Sequence, residues 1–191
     1  FFMFNKAMDF LFSAEGGYVN NTADRGGETN YGISDKRDGL ADGLTDVNGD
    51  GKPDTAIKQL SKQQAEKIYY RDYWLSAGCD EIAVAAPKLA IVLMDAAVNH
   101  GVGTAKRLLQ RAAKVKEDGV IGPKTIGVIA LRGDVLAGVM LDVRESYYRD
   151  IVKANSAQGR FLRGWLKRLS DLSHFILSVQ VDRKSTRLNS S

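Results

Sequence analysis

The segment PKLAIVLMDAAVNHG, residues 87–101, decides the fold. It begins with proline, is apolar at nearly every position from Leu89 to Val98, and ends with glycine. Proline at the first helical position and glycine just after the last one are typical helix boundaries. Because a helix that is apolar on all sides must be buried, we predict that this segment is the central helix of a mainly helical protein.

An apolar stripe that ends in a carboxylate predicts the first helix. Phe4, Met8, Leu11 and Glu15 are spaced four, three and four residues apart, which places them on one helical face. Two glycines follow and are predicted to end the helix. Glu15 therefore continues the apolar face at the C-terminal end of this helix.

Other helical patterns lie on both sides of the central helix. Ser61 is a predicted N-cap, with Gln64 as its capping-box partner, for a helix that runs to about Trp74. Further helices are predicted over residues 103–113, 136–151 and 161–169. A turn at residues 117–123 is predicted to be followed by another short helix. Residues 18–34, with a strand-like segment at 31–34, indicate a loop or small hairpin, and residues 36–55 indicate a long polar loop. The predicted fold class is mainly α with a small N-terminal β or irregular region.

Composition restricts the class of protein. The 191 residues, 44% of them hydrophobic and 26% charged, suffice for one well-packed domain or two closely packed lobes and do not indicate disorder. Cys79 is the single cysteine, which excludes an intramolecular disulfide and a cysteine-rich metal site. We see no signal peptide, and the apolar run is too short to span a membrane, so a soluble protein is expected. Residues 182–191 are polar and aperiodic, and we interpret them as a non-native or disordered tail.

The formal net charge of +4 favours partners of opposite charge, such as nucleic acid, an anionic membrane or an acidic cell-wall polymer. Nucleic acid is not expected, because lysine and arginine are dispersed and no recognition motif is found. Arg160, Arg163, Lys167 and Arg168 lie along one face of the last predicted helix, with Trp165 nearby. We interpret this face as solvated, with attraction to an anionic cell wall as the functional alternative.

The position of Glu15 suits general acid catalysis. Cleavage of a glycosidic bond needs a carboxylic acid that is protonated at working pH and usually a second carboxylate across the bond. Desolvation and the negative end of a helix dipole both favour the protonated form of a carboxyl group. A glutamate at a fraying helix end is also commonly just solvated, so spacing alone leaves that alternative open.

The string EGGYVNNTADRGGETNYGIS, residues 15–34, resembles glycoside hydrolase family 108. This family comprises bacterial and phage N-acetylmuramidases, including proteins once called secretion activators. The resemblance continues through residues 71–74 (RDYW) and 95–101 (DAAVNHG), so it spans most of the chain. It implies a lysozyme-like helical fold with the small N-terminal β region beside an active-site cleft.

The resemblance also implies catalytic roles. Glu15 is implied as the general acid, Asp24 as the second carboxylate that orients or activates water, and Thr29 as a residue that helps to hold this water. The three residues are similar to the Glu, Asp and Thr of phage-type lysozymes, with an Asp-to-Thr gap one residue shorter. Glu28 is a competing carboxylate, and an Asx turn before two glycines is the alternative for Asp24. The implied substrate-binding residues are Tyr18, Glu28, Asn30, Tyr31 and Asn99.

A second pattern indicates a cation site. Asp46, Asn48, Asp50 and Asp54 have the oxygen spacing of a calcium loop, with a glycine at the sixth position. The twelfth position, usually a bidentate glutamate, is Ile57, so we predict a structural calcium site of weak affinity, with a solvated turn as the alternative. No cofactor is expected to be required for the chemistry.

Residues 118–125, DGVIGPKT, resemble a turn in the peptidoglycan-binding domains of lytic enzymes. This resemblance implies a catalytic region at residues 5–93 and a helical peptidoglycan-binding lobe at residues 94–175. His100 lies at a helix end and is interpreted as a capping or core residue rather than a ligand.

These observations predict a monomeric peptidoglycan hydrolase that cleaves the β-1,4 bond between N-acetylmuramic acid and N-acetylglucosamine in glycan strands. One alternative is a chitosan or chitin glycosidase on the same fold. The other is a non-catalytic, peptidoglycan-binding secretion accessory, against which the presence of both Glu15 and Asp24 speaks. The expected location is the bacterial periplasm or cell wall, or the cytoplasm in which a phage endolysin is made.

Overall fold

The structure is a computed structural model of the chain, and it describes residues 1–14, 19–20, 28–34 and 42–181. The helices of these ranges are α1 (Phe2–Ala14), α2 (Lys62–Tyr69), α3 (Cys79–Ala85), α4 (Pro87–His100), α5 (Val102–Ala113), α6 (Pro123–Arg132), α7 (Val135–Ala154) and α8 (Gly159–Ser178). The strands are β1 (Val19–Asn20), β2 (Glu28–Asn30), β3 (Ile33–Ser34), β4 (Leu44–Thr45) and β5 (Thr55–Ala56). They form an antiparallel sheet in the order β1-β2-β3 and a separate β4-β5 pair. The mainly helical class predicted from the sequence is confirmed.

The predicted central helix is α4. Its residues from Leu89 to Ala97 are all buried, and the helix packs against α1, α3, α5, α7 and α8. Gly101 ends it with a φ of 81°, a conformation that glycine adopts without strain. Its N-terminus is capped by a residue that is distant in the sequence. Oδ1 of Asp134 accepts hydrogen bonds from the backbone nitrogen of Lys88 at 2.8 Å and that of Leu89 at 3.3 Å.

The predicted capping box at the start of α2 is confirmed. The backbone nitrogen of Gln64 donates to Oγ of Ser61 at 3.2 Å, and that of Ser61 donates to Oε1 of Gln64 at 2.8 Å. The helix continues past α2 as a π-helical segment, Tyr70–Leu75, which periodicity did not predict. Trp74 in this segment is buried and donates through its indole nitrogen to Asp80 of α3, a helix that was also not predicted.

The prediction of a long polar loop over residues 36–55 was wrong in part. Leu44 pairs with Ala56 and Thr45 with Thr55, so β4 and β5 close the segment between them into a hairpin. Strands of two residues are too short to leave a recognisable alternation of apolar and polar residues, which is why the sequence did not show them. Residues 36–41 lie outside the described residues.

The turn before α6 is held by a buried amide. Gln110 of α5 donates through Nε2 to Oδ1 of Asp118 at 2.8 Å and to the carbonyl of Val120 at 3.0 Å. Its Oε1 accepts from the backbone nitrogen of Gly119 at 2.7 Å. Because all three bonds go to one short turn, this turn is fixed on α5 and has a structural role of its own.

The described helices share one hydrophobic core, which extends from Phe4 in α1 to Val179 just after α8. Across the residues that the structure describes, none of the helices combines the length and the apolar character that crossing a bilayer requires. The predicted tail, residues 182–191, lies outside the described residues.

Candidate active site

The last turn of α1 lies against the small three-stranded sheet. The ring of Phe12 is 5.9 Å from that of Tyr31, which follows β2, and 6.1 Å from that of Tyr69 in α2. The hydroxyl of Tyr69 donates to the backbone carbonyl of Tyr31 at 3.0 Å. The turn between β2 and β3 is thereby attached both to α1 and to the helical core.

This turn consists of Tyr31 and Gly32, with φ angles of 51° and 75°. Positive φ at both central positions is characteristic of tight two-residue hairpins, but it is unfavourable for tyrosine. The ring contact with Phe12 and the hydrogen bond from Tyr69 offset this strain. The predicted substrate-binding residue Tyr31 is thus held in one conformation beside the end of α1.

The remaining predicted residues in the sheet have defined places. Thr29 lies in the central strand, paired with Val19 on one side and Ser34 on the other. Asn30 is buried, and its Nδ2 donates to the carbonyls of Ile57 at 3.0 Å and Leu60 at 3.2 Å. The amide of Asn30 therefore joins the sheet to the segment before α2, and its contact with substrate stays a prediction.

Three predicted site residues, Glu15, Tyr18 and Asp24, lie outside the described residues. Ala14, the last residue of α1, directly precedes Glu15 in the sequence. The backbone of Glu28, the competing carboxylate, pairs with Asn20 in the sheet.

On its other side, α1 faces α8 across an open cavity of about 730 Å³. This is within the size range of ligand pockets in proteins. The residues that line it include Ser13 of α1, Asn99 of α4, and Trp165, Lys167, Arg168 and Asp171 of α8. The predicted substrate-binding residue Asn99 thus lies on the wall of this cavity, where its Nδ2 donates to the carbonyl of Asp95 at 2.7 Å.

A buried ion cluster lies next to this cavity. Asp95 of α4 and Arg144 of α7 have side chains that are 1% and 0% exposed, and Nη2 of Arg144 donates to Oδ2 of Asp95 at 2.8 Å. Arg168 donates from Nε at 3.0 Å and from Nη2 at 2.8 Å to Oδ1 of the same carboxylate. The cluster ties α4, α7 and α8 together, and Arg168 connects it to the cavity.

The interpretation of Arg168 as part of a solvated basic face is therefore corrected. Its side chain is only 18% exposed, because the buried carboxylate of Asp95 requires counter-charges. Among its neighbours on the predicted face, Lys167 forms an exposed ion pair with Asp171, at 2.6 Å.

His100 lies in an aromatic environment. Its ring is 5.3 Å from that of Tyr147 and 5.0 Å from that of Tyr148. Burial, with a smaller contribution from the positive charge of Arg144, lowers the pKa of His100 to about 4. The imidazole is therefore neutral at physiological pH.

The predicted calcium loop has an ordered arrangement. Asp46 accepts hydrogen bonds from the backbone nitrogens of Gly49, at 2.6 Å, and Gly51, at 2.9 Å. The bond from Gly49 is the main reason that the pKa of Asp46 is lowered. Arg71 donates to the backbone carbonyl of Asp46 at 3.1 Å, so a positively charged guanidinium group lies beside the loop. The twelfth position, Ile57, is fully buried.

The side chains of the other predicted ligands form hydrogen bonds with the backbone, with each other or with a neighbouring hydroxyl group. Oδ1 of Asn48 accepts from the backbone nitrogen of Asp50 at 2.9 Å, and Oδ2 of Asp50 accepts from Nδ2 of Asn48 at 3.2 Å. Asp54 accepts from the hydroxyl of Thr55 at 3.1 Å. The described part of the chain contains no group of three or more His, Cys, Asp or Glu side chains arranged to hold a metal ion. Any calcium bound here would therefore depend on amide, backbone or water oxygens as well.

Together, these elements define the class of the protein, which has a mainly helical, lysozyme-like fold. The end of α1 lies between the small three-stranded sheet and the cavity, or groove, that separates α1 from α8. Residues 8–101 match the model of glycosyl hydrolase 108, and residues 104–170 match that of a predicted peptidoglycan domain. The membership in glycosyl hydrolase family 108 that the sequence motifs predicted is confirmed for residues 8–101.

Among solved structures, the chain is similar to SagA of Brucella abortus, with 28% sequence identity and a TM-score of 0.73. The similarity covers 95% of this chain and 97% of that one. No curated protein matches the chain. The family supports a glycoside hydrolase, and the second domain supports peptidoglycan as the polymer with which it associates.

Of the residues that line the cavity, sequence reasoning assigned only Asn99 to the site and did not place Ser13, Trp165 or Arg168 there. A signal was present for Arg168, because a carboxylate in the middle of an apolar helix must be paired if it is buried. That signal identifies Asp95 as needing a cation but not which cation. Trp165 was noted only as part of the apolar pattern of the last helix and as a neighbour of its basic face.

Proposed function

We propose that this protein is a peptidoglycan hydrolase that cleaves the β-1,4 bond between N-acetylmuramic acid and N-acetylglucosamine. One observation carries this proposal: the last turn of α1 lies between the β2-β3 turn and the groove between α1 and α8. Phe12 contacts Tyr31 of the β2-β3 turn, and Ser13 lines the groove. Glu15 directly follows this turn in the sequence, and we propose that its carboxyl group acts on a glycan strand bound beside it. The family match supports the same chemistry.

In this mechanism, Glu15 donates a proton to the leaving glycosidic oxygen. Asp24 orients or activates the water that attacks the sugar, and Thr29 helps to hold this water. All of these steps use side chains of the protein, and no cofactor takes part. We further propose that the protein acts as a monomer in the bacterial periplasm or cell wall, or as a phage endolysin made in the cytoplasm.

The identity of the bond is tested by mass spectrometry of the fragments released from purified peptidoglycan. A muramidase leaves N-acetylmuramic acid at the reducing end of each product, whereas a glucosaminidase leaves N-acetylglucosamine there. Chitin and chitosan serve as parallel substrates. Release of fragments from these two polymers alone would favour the chitinase-type alternative, and binding of peptidoglycan without any release would favour the secretion accessory.

The second carboxylate can be identified with a pair of substitutions. We expect Asp24→Asn to lower kcat on peptidoglycan by about a hundredfold, because the attacking water loses its base. Glu28→Gln, four residues away, is the matched comparison: because Glu28 is predicted to bind substrate, its loss should raise KM and leave kcat largely unchanged. A silent Asp24→Asn combined with an inactive Glu28→Gln would show that Glu28 has the role assigned to Asp24.

We also propose that Asp46, Asn48, Asp50 and Asp54 bind calcium weakly and thereby stabilise the β4-β5 hairpin. Carboxylates that are held close together repel one another unless a cation lies between them. A ligand that binds only the folded state stabilises it by about 2.7 kcal/mol at a hundredfold excess over Kd. The support is the loop spacing, and the nearby guanidinium of Arg71 is a reason to expect weak affinity.

The calcium proposal predicts a higher melting temperature in millimolar calcium than in chelator. Asp50→Ala should remove this difference, whereas Asp9→Ala, at an exposed position of α1, should leave it intact. Identical melting curves of the unmodified protein in calcium and in chelator would return the loop to its alternative interpretation as a solvated turn.

A further inference from the structure

Trp165 lies where the two matched regions of the chain meet. It lines the cavity between α1 and α8 together with Ser13 and Asn99. Ser13 and Asn99 belong to the glycosyl hydrolase match, and Trp165 belongs to the predicted peptidoglycan domain. A polymer that runs past the end of α1 towards the second domain would therefore meet this indole.

One face of the Trp165 indole is packed against another aromatic ring, which fixes its orientation. Its ring stacks on that of Tyr148 in α7, with 4.8 Å between ring centroids and 18° between planes. Tyr148 is buried and is itself packed against His100. A ring whose rotamer is already fixed loses little conformational entropy when a ligand binds to it.

The aromatic surface continues from Trp165 towards solvent. Phe161, one helical turn earlier in α8, has its ring centroid 5.9 Å from that of Trp165 and its plane inclined by 29°. Phe161 is 42% exposed, and the guanidinium of Arg160 lies 4.6 Å from its ring centroid. An aromatic side chain left exposed next to a polar cavity is a common feature of ligand-binding sites.

Polar side chains surround this aromatic surface within the cavity. Asn99 is exposed, and Lys167 and Asp171 form an ion pair at the protein surface, with side chains that remain largely accessible. These groups offer both donors and acceptors of hydrogen bonds. The cavity therefore combines a rigid apolar ring with polar groups around it.

We infer that Trp165, extended by Phe161, forms a saccharide subsite in the groove between α1 and α8 for the glycan strand of peptidoglycan. A pyranose ring has an apolar face of C–H groups and a rim of hydroxyl and acetamido groups. The indole receives the apolar face, and Asn99, Lys167 and Asp171 bond to the rim. This inference rests on the proposed function, because the strand that occupies the subsite is the substrate of that function.

Tryptophan fluorescence gives a direct test, because the protein has only two tryptophans and Trp74 is 1% exposed. Quenching by acrylamide therefore reports on Trp165. The probe is soluble, peptide-free glycan strands prepared from peptidoglycan, added to the Glu15→Gln protein so that the strands stay intact. We expect saturating strands to lower the quenching constant by about half or more, since bound ligands are mostly buried in such pockets. Unchanged quenching at saturation would overturn the inference.

Substitutions provide a second test, read out by calorimetry. Trp165→Leu should weaken the binding of glycan strands by about tenfold, and Trp165→Phe, which keeps a ring, by about threefold or less. Leu177→Ala is the matched control, since Leu177 lies on the same helix, is 73% exposed and does not line the cavity. Circular dichroism establishes that each variant is folded. If Trp165→Leu does not fold, the quenching measurement and Trp165→Phe still decide the question.

The outcomes separate this inference from the proposed function. If the unmodified protein cleaves peptidoglycan, but glycan strands leave the quenching constant unchanged and Trp165→Leu leaves their affinity unchanged, the proposed function stands and the subsite is wrong. If the protein cleaves nothing, yet glycan strands protect Trp165 and Trp165→Leu weakens their binding, the subsite stands and the catalytic proposal is wrong.

Discussion

Glu15→Gln should lower kcat on purified peptidoglycan by about a thousandfold or more while the protein remains folded. Glutamine has nearly the same size and shape as glutamate but cannot transfer a proton to the leaving glycosidic oxygen. Because general acid catalysis depends on this proton, the loss should appear in kcat and not mainly in KM. The measurement is the loss of turbidity of a cell-wall suspension, with initial rates taken at several substrate concentrations.

The matched control for Glu15→Gln is Asp9→Asn on the same helix. The carboxylate of Asp9 is 61% exposed and forms a surface ion pair with Lys6, so its loss should leave the activity unchanged. Near wild-type lysis by Glu15→Gln, with an unchanged circular dichroism spectrum, would refute the assignment of the general acid.

Asp95→Ala should lower the free energy of unfolding by about 3–5 kcal/mol, because it leaves the buried guanidinium of Arg144 without its counter-charge. For a chain of this length, such a loss corresponds to a fall in melting temperature of about 6–20 °C. Denaturant titration and thermal melting measure the two quantities. The exposed pair of Glu145 and Arg149 is in the same helix as Arg144, and Glu145→Ala should cost less than about 1 kcal/mol.

A second substitution tests the cause of this effect. Adding Arg144→Met to Asp95→Ala removes the uncompensated charge and should recover part of the lost stability. If the double variant is less stable than Asp95→Ala by the full effect of Arg144→Met alone, then the two residues do not interact energetically and the account of the cluster is wrong.

The cluster also has a consequence for function. Asp95 holds Arg168, which lines the cavity, and its backbone carbonyl accepts the hydrogen bond from Asn99 on the cavity wall. The stability of the core and the position of Arg168 in the cavity wall therefore depend on the same carboxylate. We expect variants of Asp95 to lose binding of glycan strands together with stability.

Local chemistry determined much of the secondary structure. The capping box of Ser61 and Gln64 involves residues three positions apart, so the sequence alone identifies it. The central helix was also predictable, because a segment that is apolar on every side has no stable place except the interior. The motif from Glu15 to Ser34 indicated the family for a similar reason, since its residues are consecutive in the chain.

Only the tertiary structure decided which residues form the groove and what neutralises Asp95. The partners of Asp95 are 49 and 73 residues away in the sequence, and helical periodicity contains no information about such distant pairs. Arg168 and Lys167 are adjacent basic residues, yet one bonds to a buried carboxylate and the other to a surface aspartate. The two residues differ because the packing of α8 against α4 buries the partner of Arg168 and leaves Lys167 in water. An unpaired charge is costly when it is buried, whereas an exposed charge is solvated.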